Sequence, residues 1–121
     1  MILVVDDQQS MCWILFKILS DAGFSVETAK SGKEALSVGT NSKISAAIID
    51  YRLPDKNGLD LFLELRKQNP KLVGLLITSY GSQELQEKAL RLGFDAYFDK
   101  PFDNETLIGA LRAGLKKVEG N

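Results

Sequence analysis

Ile44-Ser45-Ala46-Ala47-Ile48-Ile49, then Asp50, then Tyr51-Arg52-Leu53-Pro54-Asp55-Lys56-Asn57-Gly58: the reading of this stretch decides the fold. Small and apolar residues run on without alternation, the pattern of a strand buried on both faces, as in a parallel sheet. Asp50 ends the run, and Pro54 and Gly58 mark the loop behind it. Open α/β sheets gather their chemistry at the carboxyl ends of their strands, which makes Asp50 the first candidate functional residue.

Upstream, Ile2 to Val5 is a second apolar run, and Met11, Ile14, Leu15, Ile18 and Ala22 recur at helical spacing, predicting a helix from Gln8 to Asp21 stopped by Gly23. Phe24 to Thr28 reads as a strand. Ser31 caps a helix over Gly32 to about Gly39, with Glu34 at the capping-box position. Downstream, Asn57 opens a helix whose apolar face uses Leu59, Phe62, Leu63 and Leu65, and Pro70 closes it. Leu72 to Ile77 is the next strand. A more polar helix follows from Ser82 to about Leu92, with Leu85, Ala89 and Leu92 inward and Gln83, Glu87, Lys88 and Arg91 outward. Gly93 ends it, Phe94 to Phe98 forms the last strand, and from Asp103 a final helix carries Leu107, Ile108, Leu111 and Leu115. The pattern is a βα unit repeated five times. It predicts right-handed crossovers, a parallel sheet and helices on both faces, in one domain over residues 1–121.

Composition narrows the chemistry. The chain has no histidine, which removes serine triads, histidine-ligated metals and a phosphohistidine of its own. Cys12 is the only cysteine and falls in an amphipathic stretch, so a buried, inert thiol is expected and no disulfide can form. Fifteen basic against sixteen acidic residues leave a net charge of −1, giving no electrostatic reason for direct nucleic-acid or membrane binding. No apolar run approaches the roughly 20 residues of a membrane span, and Met1 leads straight into a strand, so a cytoplasmic protein is expected. An effector domain, if the protein has one, is expected beyond Asn121.

In a parallel sheet the residues that follow the strands share one edge. Here they are Asp6 and Asp7, Asp50, Thr78 and Ser79, and Lys100. Like charges about 4 Å apart repel by on the order of 4 kcal/mol at an effective dielectric of about 20, so three carboxylates need cations beside them. Lys100 supplies one charge. A divalent ion supplies the rest, and an all-oxygen, carboxylate-rich site suits Mg²⁺. With Mg²⁺ and an ammonium at hand, Asp50 reads as a nucleophile toward phosphorus, and Thr78 as a donor to the same phosphoryl oxygens.

Val4-Val5-Asp6-Asp7, the DYRLPDKNG run at 50–58, Ile77-Thr78-Ser79 and the AYFDKPF run at 96–102 resemble the four signatures of the response-regulator receiver domain, in order and across essentially the whole chain. The resemblance implies a flavodoxin-like fold, with a five-stranded parallel sheet of order 2-1-3-4-5. It implies Asp50 as phosphoacceptor and Mg²⁺ held by Asp7 directly, by Asp6 mostly through water, by Asp50 and by the backbone carbonyl of Arg52. Lys100 would pair with the phosphoryl group through a cis Lys100-Pro101 bond. A sensor histidine kinase or phosphotransfer protein would be the donor.

The same resemblance implies a switch. The Thr78 hydroxyl moves toward the phosphoryl group, Tyr97 turns from exposed to buried, and the face made by the fourth helix, fifth strand and fifth helix changes shape. That face, with Gln83 to Arg91 and Phe102 to Leu111, would grip an output domain or partner, or form a homodimer on activation. Arg52 and Tyr80 are expected to stack beside the path of the hydrolytic water and slow dephosphorylation. Trp13 is expected on the exposed side of the first helix, either as partly exposed packing or as part of a kinase-docking surface. Gly58 and Gly81 read as backbone devices. Asp6 to Ser10 with Trp13 behind is similar to receivers of nitrogen-regulation-type transcriptional activators, but a stand-alone receiver would carry the same residues, so the output stays open.

Two rivals fail on the residues. An aspartate-nucleophile phosphatase of the haloacid-dehalogenase kind would carry D-x-D after its first strand and a cap domain, whereas here the nucleophile candidate follows the third strand. A nucleotide or flavin module would want G-x-x-x-x-G-K-[ST] or G-x-G-x-x-G, which are absent. The complete acidic set also speaks against a third reading, a receiver that has lost phosphorylation and acts only as an interaction surface.

Overall fold

The computed structural model describes residues 1–120, so Asn121, the last residue of the expected domain, lies outside the described residues. Ten elements alternate along the chain: β1 (Ile2–Val5), α1 (Gln9–Asp21), β2 (Val26–Ala29), α2 (Gly32–Asn41), β3 (Ala46–Asp50), α3 (Gly58–Gln68), β4 (Val73–Thr78), α4 (Gln83–Leu92), β5 (Ala96–Asp99) and α5 (Asn104–Glu119). The strands form one sheet in the order β2-β1-β3-β4-β5, every pairing parallel, which is the expected flavodoxin-like arrangement.

Side chains of a strand alternate between the two faces, and here they build two cores. Leu3, Val5, Ala47, Ile49 and Leu76 point to one face and are covered by Ala35 of α2, Leu61 and Phe62 of α3 and Ala89 of α4. Ile2, Val4, Ala46, Ile48, Val73, Leu75 and Ile77 point to the other and are covered by Leu15 and Leu19 of α1 and Leu107 and Leu111 of α5. The central strands β1, β3 and β4 are buried along their whole length, which is why they read as unbroken apolar runs.

The helices start where their caps stand. Ser31, Asn57, Ser82 and Asp103 each accept, through a side-chain oxygen, the backbone N–H three residues on. Glu34 supplies that N–H to Ser31 at 3.1 Å. Helices α1 and α4 end alike. Gly23 and Gly93 take left-handed φ values of 98° and 108°, and the next residue turns back, Phe24 N–H donating to the Leu19 carbonyl and Phe94 N–H to the Ala89 carbonyl. This corrects two expected strand starts: Phe24 and Phe94 close the helices before them, and β2 and β5 begin at Val26 and Ala96.

Two helical stripes are also corrected. On α1 the buried positions are Cys12, Leu15 and Leu19, while Ile14 is exposed and Met11 and Ile18 lie at the margin. On α3 Leu61 is buried and Leu63 is 38 % exposed. In both helices the apolar arc is wider than the face the sheet covers, Leu61 and Leu63 standing at its two margins on α3, so periodicity alone left the facing angle open.

Candidate phosphoryl-acceptor site

The parallel register brings the strand ends together. Asp6 follows β1, Asp50 ends β3, Thr78 ends β4 and Lys100 follows β5. The Lys100 ammonium lies between two carboxylates, donating to Asp6 Oδ2 at 2.7 Å and to Asp50 Oδ2 at 3.1 Å. Asp6 is wholly buried, and Asp50 is 7 % exposed. The second oxygen of each carboxylate is also held: Asp6 Oδ1 accepts the Gln8 N–H at 2.9 Å and Asp50 Oδ1 the Arg52 N–H at 3.2 Å. Lys100 precedes Pro101 through a cis peptide bond, as expected, and its own N–H donates to the Thr78 carbonyl at 2.8 Å.

Burial, and then the negative charge of Asp6, push the Asp50 carboxyl above its ordinary pKa against the opposing pull of Lys100. For Lys100 burial works against the charge, but the hydrogen bonds and charges of Asp6 and Asp50 outweigh it and hold the ammonium above its ordinary value. Asp7 is exposed, and it brings a carboxylate oxygen to a group in which those of Asp6, Asp7 and Asp50 all lie within 4.8 Å of one another. Three carboxylates against one ammonium leave an excess of negative charge that an oxygen-seeking divalent cation fits.

Asp7, Asp50, Arg52, Tyr80 and Lys100 line an open cleft over this cluster. Arg52 and Tyr80 meet across it, the guanidinium carbon 4.4 Å from the ring centroid. Thr78 is fully buried, and its hydroxyl accepts the Tyr80 N–H at 3.0 Å. The fold thus brings Asp6, Asp7, Asp50 and Lys100 to one edge, with Arg52 and Tyr80 stacked beside them.

The chain matches the model of the response regulator receiver domain over residues 2–112. It belongs to the response regulator receiver family. Among relatives of this receiver, the probable transcriptional regulatory protein TcrX of Mycobacterium tuberculosis is 34 % identical over 117 residues, covering 97 % of the chain and 50 % of the relative. The chain thus spans about half the length of the curated relatives it matches. A CheY-like receiver domain protein from Methanospirillum hungatei superposes with a TM-score of 0.92 at 31 % identity, covering 98 % of this chain and 95 % of that one. A response regulator from Burkholderia pseudomallei, solved with a phosphorylated aspartic acid, a calcium ion and citrate, has a TM-score of 0.86 at 28 % identity, covering 98 % and 70 %.

Around the receiver's edge the structure adds partners that no motif signals. Tyr97 is half-buried and stands over Gly81, its hydroxyl donating to Asp99 Oδ1 at 2.9 Å. Burial, then the Asp99 hydrogen bond, raise its phenol above the ordinary value. The resemblance implied a Tyr97 that turns from exposed to buried; in this structure the ring is half-buried and hydrogen-bonded to Asp99. The Cys12 thiol donates to the Asp6 carbonyl at 3.1 Å, and burial, then the Asp6 charge, push its pKa up, in line with an inert thiol. Trp13 is 65 % exposed, with Phe16 beside it on α1. No helix of the described residues is long and apolar enough to cross a membrane.

Proposed function

We propose that the chain, residues 1–121, is one phosphorylation-controlled receiver in which Asp50 accepts a phosphoryl group from a sensor histidine kinase or phosphotransfer protein. The observation that carries this reading is the Lys100 ammonium held between the buried carboxylates of Asp6 and Asp50 at the mouth of an open cleft. An Asp50 oxygen attacks phosphorus as the bond to the donor's leaving atom breaks, and Lys100 stabilises the transferred oxygens. Asp6, Asp7, Asp50 and the Arg52 carbonyl would hold Mg²⁺, which when bound adds positive charge beside those oxygens. The phosphorylated aspartic acid and cation of the Burkholderia pseudomallei regulator, a structure of the same fold, support the assignment.

The switch starts at Thr78. A phosphoryl group bearing about −1.5 to −2 charge draws the Thr78 hydroxyl from the Tyr80 N–H, and Tyr97 leaves Asp99 for the space beneath. The surface of α4, β5 and α5 changes and meets an output domain, a partner protein or a second copy. Relatives twice as long and described as transcriptional regulators favour an output domain. The receiver itself acts as a signalling module and not as an enzyme on other substrates. Exposure to acetyl phosphate with Mg²⁺ tests the acceptor: one phosphoryl group is expected on the wild type and none on Asp50→Asn.

A further inference from the structure

Helix α2 is capped twice, once from its own chain neighbour and once from far along the sequence. Ser31 Oγ serves the third N–H of the helix, at Glu34, at 3.1 Å. That leaves the N–H groups of Gly32 and Lys33 without intrahelical partners. Both go to one carboxylate: Gly32 N–H donates to Asp55 Oδ1 at 2.8 Å and Lys33 N–H to Asp55 Oδ2 at 2.9 Å. These two bonds, first that of Gly32, hold the Asp55 carboxyl below its ordinary pKa. The other side-chain caps at helix starts among the described residues are local.

Asp55 stands at the tip of the loop that follows Asp50. The loop is a small hairpin: Arg52 bridges Asn57, Leu53 N–H donates to the Lys56 carbonyl at 3.3 Å, and Gly58 N–H to the Tyr51 carbonyl at 2.7 Å. One leg of it, Tyr51-Arg52, continues directly from Asp50 and carries both the N–H that fixes Asp50 Oδ1 and the carbonyl assigned to the metal. Lys56 strengthens the tip. Its stem lies so close over Gly32 that a Cβ there would meet Lys56 Cδ at 2.6 Å, and its ammonium pairs with Glu64 of α3 at 2.6 Å. The hairpin is therefore clamped at its far end to two helices.

We propose that Asp55 is a positioning residue for the Asp50 site, anchoring the hairpin to α2 so that Asp50 and the Arg52 carbonyl stand ready for the cation. The inference rests on the proposed phosphoacceptor function. It acts through the hairpin's backbone, one step behind the groups that hydrogen-bond a metal's ligands directly. Without the anchor, ordering the hairpin must be done by the cation itself, and affinity falls.

The test compares Mg²⁺ titrations of wild type, Asp55→Ala, Asp55→Asn and Ser31→Ala, followed by amide NMR, with thermal unfolding of each. Asp55→Ala is expected to weaken Mg²⁺ binding by about tenfold, the lower end of the loss that follows removal of a direct outer partner, and Asp55→Asn, which keeps one acceptor, by less. Ser31→Ala strips a cap from the same helix without touching the hairpin, so it should lower the melting temperature and leave Mg²⁺ affinity unchanged. Unchanged affinity in Asp55→Ala, or an equal loss in Ser31→Ala, overturns the positioning role while leaving the acceptor assignment standing. A wild type that binds no Mg²⁺ overturns both.

Discussion

Lys100 and Asp6, 94 positions apart in the chain, form a 2.7 Å ion pair in which the carboxylate is wholly shielded from solvent. The pair ties the end of β5 to the end of β1 across the intervening β3 and β4, so the site is also a brace for the sheet. Removing one partner of such a pair leaves the other charge buried without compensation, at a cost of about 3–5 kcal/mol. Lys100→Met is therefore expected to lose stability of that size in urea denaturation, with part of it restored by Mg²⁺. A loss below about 1 kcal/mol, the range of exposed pairs, would contradict the burial of this charge.

Asp50 contributes to stability with the opposite sign. Its folded-state pKa is raised, by burial first and Asp6 second, so ionising it disfavours the folded state. The penalty is absent below the ordinary carboxylate pKa and grows as pH rises through the raised value. Asp50→Asn is thus expected to be more stable than wild type at pH 7, with the difference closing as pH falls into the ordinary carboxylate range. Denaturation midpoints across that span check it. Lys100, whose pKa is also raised, adds stability that is full below its unfolded value and is lost only as pH climbs through the folded one.

Tyr97 rests on Asp99 over a glycine. A Cβ at Gly81 would collide with the Tyr97 hydroxyl and with Asp99 Oδ1, so Gly81→Ala should displace the ring from its seat. Asp99→Ala should remove both the hydrogen bond and the charge that, after burial, raise the phenol, and bring its titration down toward the ordinary tyrosine value. NMR titration of the Tyr97 ring in both variants decides the matter; a phenol that titrates as in wild type after Asp99→Ala would show that the hydrogen bond does not hold it.

The Arg52–Tyr80 stack lines the cleft that opens onto Asp50. An exposed cation–π contact contributes about 0.5–1 kcal/mol, enough to slow access by roughly two- to fivefold. The phosphorylated form of Tyr80→Ala should decay faster than wild type by that factor. Equal half-lives would remove the stack from any account of phosphoryl lifetime.

Much of the site was legible because it hangs on strand ends. Asp6, Asp50 and Lys100 each follow a run apolar enough to read as a buried strand, and parallel topology then leaves them one edge to share. Phe24 and Phe94 were misplaced for a local reason: after a left-handed glycine their N–H groups return to the helix, and an apolar residue there looks like the first of a strand. Leu61 and Leu63 could not be ranked, since both fit a helix with apolar residues on several sides and only packing on the sheet chooses. The Asp99 hold on Tyr97 and the reach of Asp55 to α2 depend on where loops travel, which no spacing in the chain records.

Asp50 as phosphoacceptor is tested by intact mass spectrometry after incubation with acetyl phosphate and Mg²⁺, on wild type and Asp50→Asn. Mg²⁺-dependent addition of one phosphoryl group to wild type and none to the variant is expected. Equal modification of both, or none on wild type, would contradict Asp50 as the acceptor.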